Sequence, residues 1–91
     1  MFENKKSTYI LVYMTQEIDF INKKICLKIK MERTKRGWSQ DKLSELSEIS
    51  KNSIGLIERA VSTPTTKTLA KLANAFDMTV SELTDISKVD L

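Results

Sequence analysis

The chain of 91 residues contains no histidine. The usual general base at neutral pH and the commonest metal ligand are therefore missing. Its one cysteine, Cys26, can form neither an internal disulfide nor a cysteine metal cluster, which suits a reducing, cytoplasmic setting. No metal or cofactor site is expected. No catalytic constellation is visible, so an enzyme is the least supported class. No apolar run reaches the roughly 20 residues needed to span a bilayer, so no membrane association is expected. Nothing resembles a cleavable secretory leader, because residues 9–14, YILVYM, are too short an apolar core and lack a small-residue cleavage site.

What is present suits one small helical domain. A chain this short buries a modest core, and local helical contacts are a natural solution. The charge is unevenly spread: residues 1–38 carry nine Lys/Arg against four Asp/Glu, and residues 39–91 carry six against eight. The basic excess, concentrated in residues 23–36, fits a polyanion partner or a solvated helix face.

Helical periodicity organises the chain from residue 16 onward. Ile18, Ile21, Ile25 and Ile29 form an amphipathic stripe over residues 16–36, starting between residues 17 and 22, with Gly37 as a stop. Ser39 precedes QDKLSEL and Ser50 precedes KNSIGLIER; each serine can accept a hydrogen bond from a free N–H at a helix start. Leu43, Leu46, Ile49, Ile54 and Ile57 are the apolar positions of this pair. Residues 61–67, VSTPTTK, read as a loop in which Pro64 followed by Thr65 gives a break and then an N-cap, and residues 66–76 as a fourth helix with Leu69, Leu72, Ala73 and Phe76 on one face. Thr79 and Glu82 make the T-x-x-E pattern of a capping box before a short fifth helix. The organisation is an N-terminal extension over residues 1–20, a domain over 21–85 and a tail over 86–91 that frays. Residues 1–8 are expected to be disordered. Residues 9–14 admit three readings: a mobile leader, an edge strand pairing with its copy in a second subunit, or an early turn of helix against the core. Met14 is an alternative natural start.

The run RGWSQDKLSELSEISKNSIGLIERA, followed by Pro64 and TLAKLANAF, resembles the phage repressor/Cro (XRE) type of bacterial helix-turn-helix protein. The resemblance covers about residues 22–84. It rests on Arg33, the sequence Gly37-Trp38-Ser39-Gln40, Leu43, Ile49-Ser50, Ile54, Ile57-Glu58-Arg59, Pro64, Leu69 and Leu83. It implies an all-α, compact five-helix, lambda-repressor-like domain, with the second helix over residues 40–47 and the recognition helix over about 51–59. Three positions depart from the family pattern. Ser44 replaces alanine and is tolerable if its hydroxyl bonds a carbonyl one turn back. Glu48 replaces a glycine where the turn often needs positive φ, which costs a non-glycine residue roughly 1–2 kcal/mol. Ala60 replaces the glycine after the recognition helix, so that helix is expected to run on by a residue or two.

The resemblance also implies roles. Lys51, Asn52 and Leu56 occupy base-reading positions, and Ser53 faces the backbone or a base edge. Asparagine can pair with an adenine edge, lysine can donate to guanine, and leucine meets thymine methyls. Gln40 matches a phosphate-contacting glutamine, at a helix N-terminus whose free N–H groups and dipole favour an anion. Ser39, Arg59, Thr66 and Lys67 are further phosphate candidates. Lys28, Lys35 and Arg36 are weaker ones. Arg33 and Glu58 are expected to form a partly buried ion pair joining the first and third helices. Gly55 fits either close approach to DNA or a close contact with the second helix. Trp38 reads as structural. Val80, Leu83 and Ile86, with Val89, are the expected dimer interface.

The function these features imply is a double-stranded-DNA-binding transcriptional regulator of the repressor kind, bound as a homodimer to an inverted repeat. Half-sites about 34 Å apart are the geometric expectation. No second domain is expected to follow, and control would then come from concentration or from a partner protein such as an anti-repressor. The alternative is a protein-interaction module, such as an antitoxin that neutralises a toxin, with residues 9–14 as the binding arm and DNA binding secondary.

Overall fold

The computed structural model describes residues 5–90, with side chains from residue 10. Among the described residues there are five helices and no strand: α1 (Lys5–Lys35), α2 (Gln40–Ser47), α3 (Lys51–Glu58), α4 (Thr66–Ala75) and α5 (Val80–Leu83). Each of the last four starts where the capping chemistry places it. Ser39, Ser50, Thr65 and Thr79 are extended and accept the N–H of Lys42, Ser53, Thr68 and Glu82 respectively. The capping box at Thr79 is complete, with the Thr79 N–H donating to Glu82 at 2.8 Å.

One core serves all five elements. Cys26 and Ile29 of α1, Leu43 of α2, Ile54 and Ile57 of α3, Leu72 and Ala73 of α4, Phe76 and Leu83 form it, with Ile49 from the α2–α3 turn. Helices of eight or fewer residues are marginal alone, so α2, α3 and α5 exist because this core pins one face of each. Leu46, expected among the apolar positions facing inward, lies on the outer face and is exposed.

The main correction concerns the N-terminal extension. From Lys5 the chain is continuous helix into α1, so residues 9–14 are helical and form no edge strand. The expected disorder of residues 1–8 falls partly on residues 1–4, outside the described residues. The early turn of helix is present but does not lie against the core: Ile10, Leu11, Val12, Tyr13 and Met14 are all exposed, as are Ile18, Phe20 and Ile21. The helix extends beyond its domain and gives the molecule dimensions of 53 × 25 × 20 Å. The tail is a second correction. Val89 is buried and Asp85 accepts hydrogen bonds from the Ser87 N–H and hydroxyl, so residues 86–90 fold back instead of fraying. Leu91 lies outside the described residues.

Three turns use left-handed backbone at residues other than glycine: Glu48 (φ 62°), Ala60 (φ 57°) and Asp77 (φ 58°). Glu48 thus takes the conformation its family position demands. Ala60 does as well, and α3 stops at Glu58 instead of running on, because the Val61 N–H bonds back to the Leu56 carbonyl. Ser44 donates not one turn back but forward, to the Ile49 carbonyl at 2.6 Å, tying α2 to the turn that follows it.

Candidate nucleic-acid interface

The site is built outward from a buried ion pair. Arg33, in the last turns of α1, donates through Nε and Nη2 to the two carboxylate oxygens of Glu58 at 2.6 and 2.9 Å. Its Nη1 donates to the Trp38 carbonyl at 2.7 Å. The Arg33 side chain is 12% exposed and that of Glu58 3%. Burial pushes the Glu58 carboxyl up, but the hydrogen bonds and charge of Arg33, with a bond from Gln40, hold it below the usual carboxylate range. Hydrogen bonding to Glu58 raises Arg33 in turn. A bidentate pair of this kind fixes angle as well as distance, so the end of α3 is clamped to α1.

Gln40 joins the same network, its side-chain amide donating to Glu58 at 3.1 Å. That bond uses one of its two N–H donors. The other remains at the N-terminus of α2, where the helix dipole favours an anion. Gln40, Lys51, Asn52, Gly55 and Arg59 line a shallow concavity of about 330 Å³. Gly55 forms its floor. A Cβ there would meet the Arg59 guanidinium at 3.2 Å and the Gln40 amide oxygen at 4.0 Å, so its one close neighbour is the end of an exposed, flexible side chain.

Lys51 and Asn52 stand exposed at the first turn of α3. Lys51 rests 3.3 Å from Asp41 in a solvent-exposed pair, a weak contact that a polyanion can displace. Asp41 is the one participant the sequence reading did not single out; it lies on the α2 face that meets the start of α3. Leu56 and Ser53 are half-buried and do not line the concavity, and the Ser53 hydroxyl accepts from Ser50 at 2.9 Å in the cap. Ser39, Thr66, Lys67 and Arg59 are exposed, the first as the α2 cap and the next two in the first turn of α4.

Three basic residues near the C-terminal end of α1, Lys28, Lys35 and the following Arg36, make contacts within the protein. Lys28 donates to the Glu82 and Asp85 carbonyls at 2.9 and 3.0 Å, closing the C-terminal end of α5. Arg36 pairs with buried Glu32 at 2.7 Å, donates to the Phe76 carbonyl and lies over the rings of Phe76 and Trp38. Lys35 also reaches Glu32 at 3.3 Å. Trp38 stacks on Phe76 with ring centroids 5.8 Å apart. These contacts hold the fold and leave Lys28 and Arg36 little freedom to meet a phosphate.

Leu83, expected at a dimer interface, is fully buried in its own core and has no surface to offer a partner. Val80 and Ile86 are half-buried, and Val89 is buried.

The sequence profile of the helix-turn-helix family matches residues 29–83, the span that holds the ion pair, both short helices and α5. The chain belongs to the helix-turn-helix DNA-binding family, of the phage repressor/Cro type. The HTH-type transcriptional regulator SutR of Escherichia coli (strain K12) is 42% identical over 53 residues, covering 58% of this chain and 30% of that protein. The chain therefore matches under a third of that relative's length. No solved structure matches. Among the described residues no helix is long and apolar enough to cross a membrane, and no cluster of acidic and cysteine side chains could hold a metal.

Proposed function

We propose that this protein is a sequence-specific, double-stranded-DNA-binding transcriptional regulator of the repressor kind, which inserts α3 into the major groove as a homodimer on an inverted repeat. The observation that supports it most is the concavity where Gln40, Lys51, Asn52 and Arg59 from two helix N-termini and one helix end converge around Gly55. In a helix-turn-helix the second helix reads the groove while the first crosses the backbone. Lys51 and Asn52 supply base-edge donors and acceptors. Gln40, Ser39, Arg59, Thr66 and Lys67 supply phosphate contacts, which set affinity and salt dependence more than sequence choice. Leu56, half-buried on α3, contributes apolar contact, and Ser53 adds little discrimination because its hydroxyl is engaged in the cap.

Selection of bound duplexes from a random pool tests this reading. Enrichment of an inverted repeat is the expected result, and failure to enrich any motif removes the reading. The Lys51→Ala, Asn52→Ala double variant should lose selectivity while retaining most nonspecific binding; equal loss of both would count against a base-reading role. The interaction-module alternative draws on one observation, the exposed apolar N-terminal half of α1. Co-purification of a toxin-like or anti-repressor chain would favour it.

A further inference from the structure

Asp41 puts a negative charge on the face proposed to meet DNA. It lies in the first turn of α2, next in sequence to Gln40, and its carboxylate stands 3.3 Å from the ammonium of Lys51 in the first turn of α3. The pair joins the starts of the two short helices, with the Lys51 side chain 58% exposed and that of Asp41 74%. An acid in the first turn of a helix is favoured by the helix dipole, which accounts for the charge of Asp41 but not for its place against Lys51. Two neighbouring facts single the contact out. Lys42, the cation adjacent to Asp41 in sequence, is taken by Glu45 at 3.2 Å. Arg59 and Lys67, the cations assigned to phosphates, make no ion pair among the described residues. The lysine assigned to base edges is thus tied to a carboxylate, and the cations assigned to the backbone are not.

We infer that Asp41 is a positioning residue for sequence choice: it holds Lys51 for base edges and withholds it from phosphates. The inference deepens the DNA-binding reading and rests on it. A lysine is a compact charge on a flexible four-carbon stem. Left alone at the edge of a groove, it takes any phosphate in reach, and a phosphate carries no sequence information. Beside Asp41 its charge is balanced and one of its three N–H donors is engaged. The other two remain for the O6 and N7 acceptors of a guanine, which Lys51 meets without leaving the carboxylate. Reaching a phosphate instead pulls the ammonium away and leaves Asp41 unpaired against the DNA backbone, beside the phosphate assigned to Gln40. An exposed pair is weak, so nonspecific binding is handicapped a few-fold, not blocked. Weakening the wrong complex raises specificity as much as strengthening the right one.

Asp41→Asn tests this against a selected duplex and an unrelated duplex, each titrated over a range of salt. Affinity for the unrelated duplex should rise at least about threefold, and its plot of log affinity against log salt should steepen by about one unit per protomer as Lys51 takes a phosphate. Affinity for the selected duplex should change less, so the ratio between the two falls, and selection with the variant should relax at one base pair of each half-site. Asp41→Glu, which keeps the charge, should restore most of the ratio. In a Lys51→Ala background, Asp41→Asn should move both affinities by the same factor, because no lysine remains to be held. A thermal melt should shift by no more than a few degrees, as for any exposed pair. An unchanged ratio for Asp41→Asn, a weaker grip on the unrelated duplex, or an equal fall in the ratio when Lys51 is absent overturns the proposal. A motif enriched from a random pool together with an unchanged ratio sinks the role of Asp41 and leaves the DNA reading standing. A pool that enriches no motif sinks both.

Discussion

Glu58 links α3 to the end of α1 and to the start of α2. It is nearly buried, accepts two bonds from Arg33, and orients Gln40 with a third. Removing the carboxylate leaves a guanidinium buried and unpaired, which costs about 3–5 kcal/mol for a pair of this depth. At about 4–8 °C per kcal/mol for a domain of this size, Glu58→Ala should lower the melting temperature by more than 10 °C, and an unchanged melt would refute a buried pair. The pH dependence has a definite sign. Glu58 and Glu32 both sit below the usual carboxylate range, Glu58 through Arg33 and Gln40 and Glu32 through Arg36 and Lys35, in each case against the upward push of burial. Groups with lowered folded values stabilise the fold above the unfolded carboxylate value, about 4.3. That contribution is lost as the pH falls through the folded value. Thermal melts across the acid range should therefore show stability declining below about pH 4, and Glu58→Gln should flatten that decline.

At the level of the helix, α3 is bounded by backbone conformations that its sequence tolerates at a cost. Ala60 and Glu48 both adopt positive φ, where a Cβ crowds the following carbonyl and glycine does not. Ala60→Gly should raise stability by about 1 kcal/mol, seen as a higher melting temperature with an unchanged DNA motif. Gly55 gives the opposite lesson. Alanine there gains about 1 kcal/mol of helix propensity, and the one close neighbour of its Cβ is the flexible end of exposed Arg59. Gly55→Ala should thus melt higher yet bind DNA more weakly, because Arg59 is pushed from the concavity it shares with Gln40. Equal affinity for wild type and variant would show that Arg59 has no part in binding.

For the whole molecule, part of the basic excess of the N-terminal 38 residues is used inside the fold, because Lys28, Arg33 and Arg36 are engaged in packing. On the proposed function, exposed cations that include Lys51, Arg59 and Lys67 carry the electrostatic part of binding. Each phosphate contact removed should flatten the plot of log affinity against log salt by about one unit per protomer. Lys67→Ala should do so without altering the selected motif. A change in motif, with an unchanged salt slope, would place Lys67 among the base readers instead.

The amino-acid sequence was sufficient for the helix starts, which depend on neighbours within a single turn. Ser39, Ser50, Thr65 and Thr79 mark the starts of α2 to α5 because a hydroxyl next to free N–H groups acts locally. The Arg33–Glu58 pair and the left-handed Glu48 were legible too, through the family pattern, which encodes contacts across the fold. Other features depended on where distant segments meet. Leu46 and Ile18 have the same helical periodicity as Leu43 and Ile29, and only the position of the other helices leaves the first two in water and the second two in the core. Leu83 is core because α1 and α4 close over it. The N-terminal extension depended most on the third dimension. Residues 9–14 have β-branched and aromatic side chains that suit a strand, but the helix beneath them is already nucleated. Adding a turn to an existing helix forms one hydrogen bond per residue fixed, whereas a lone strand has no edge to join.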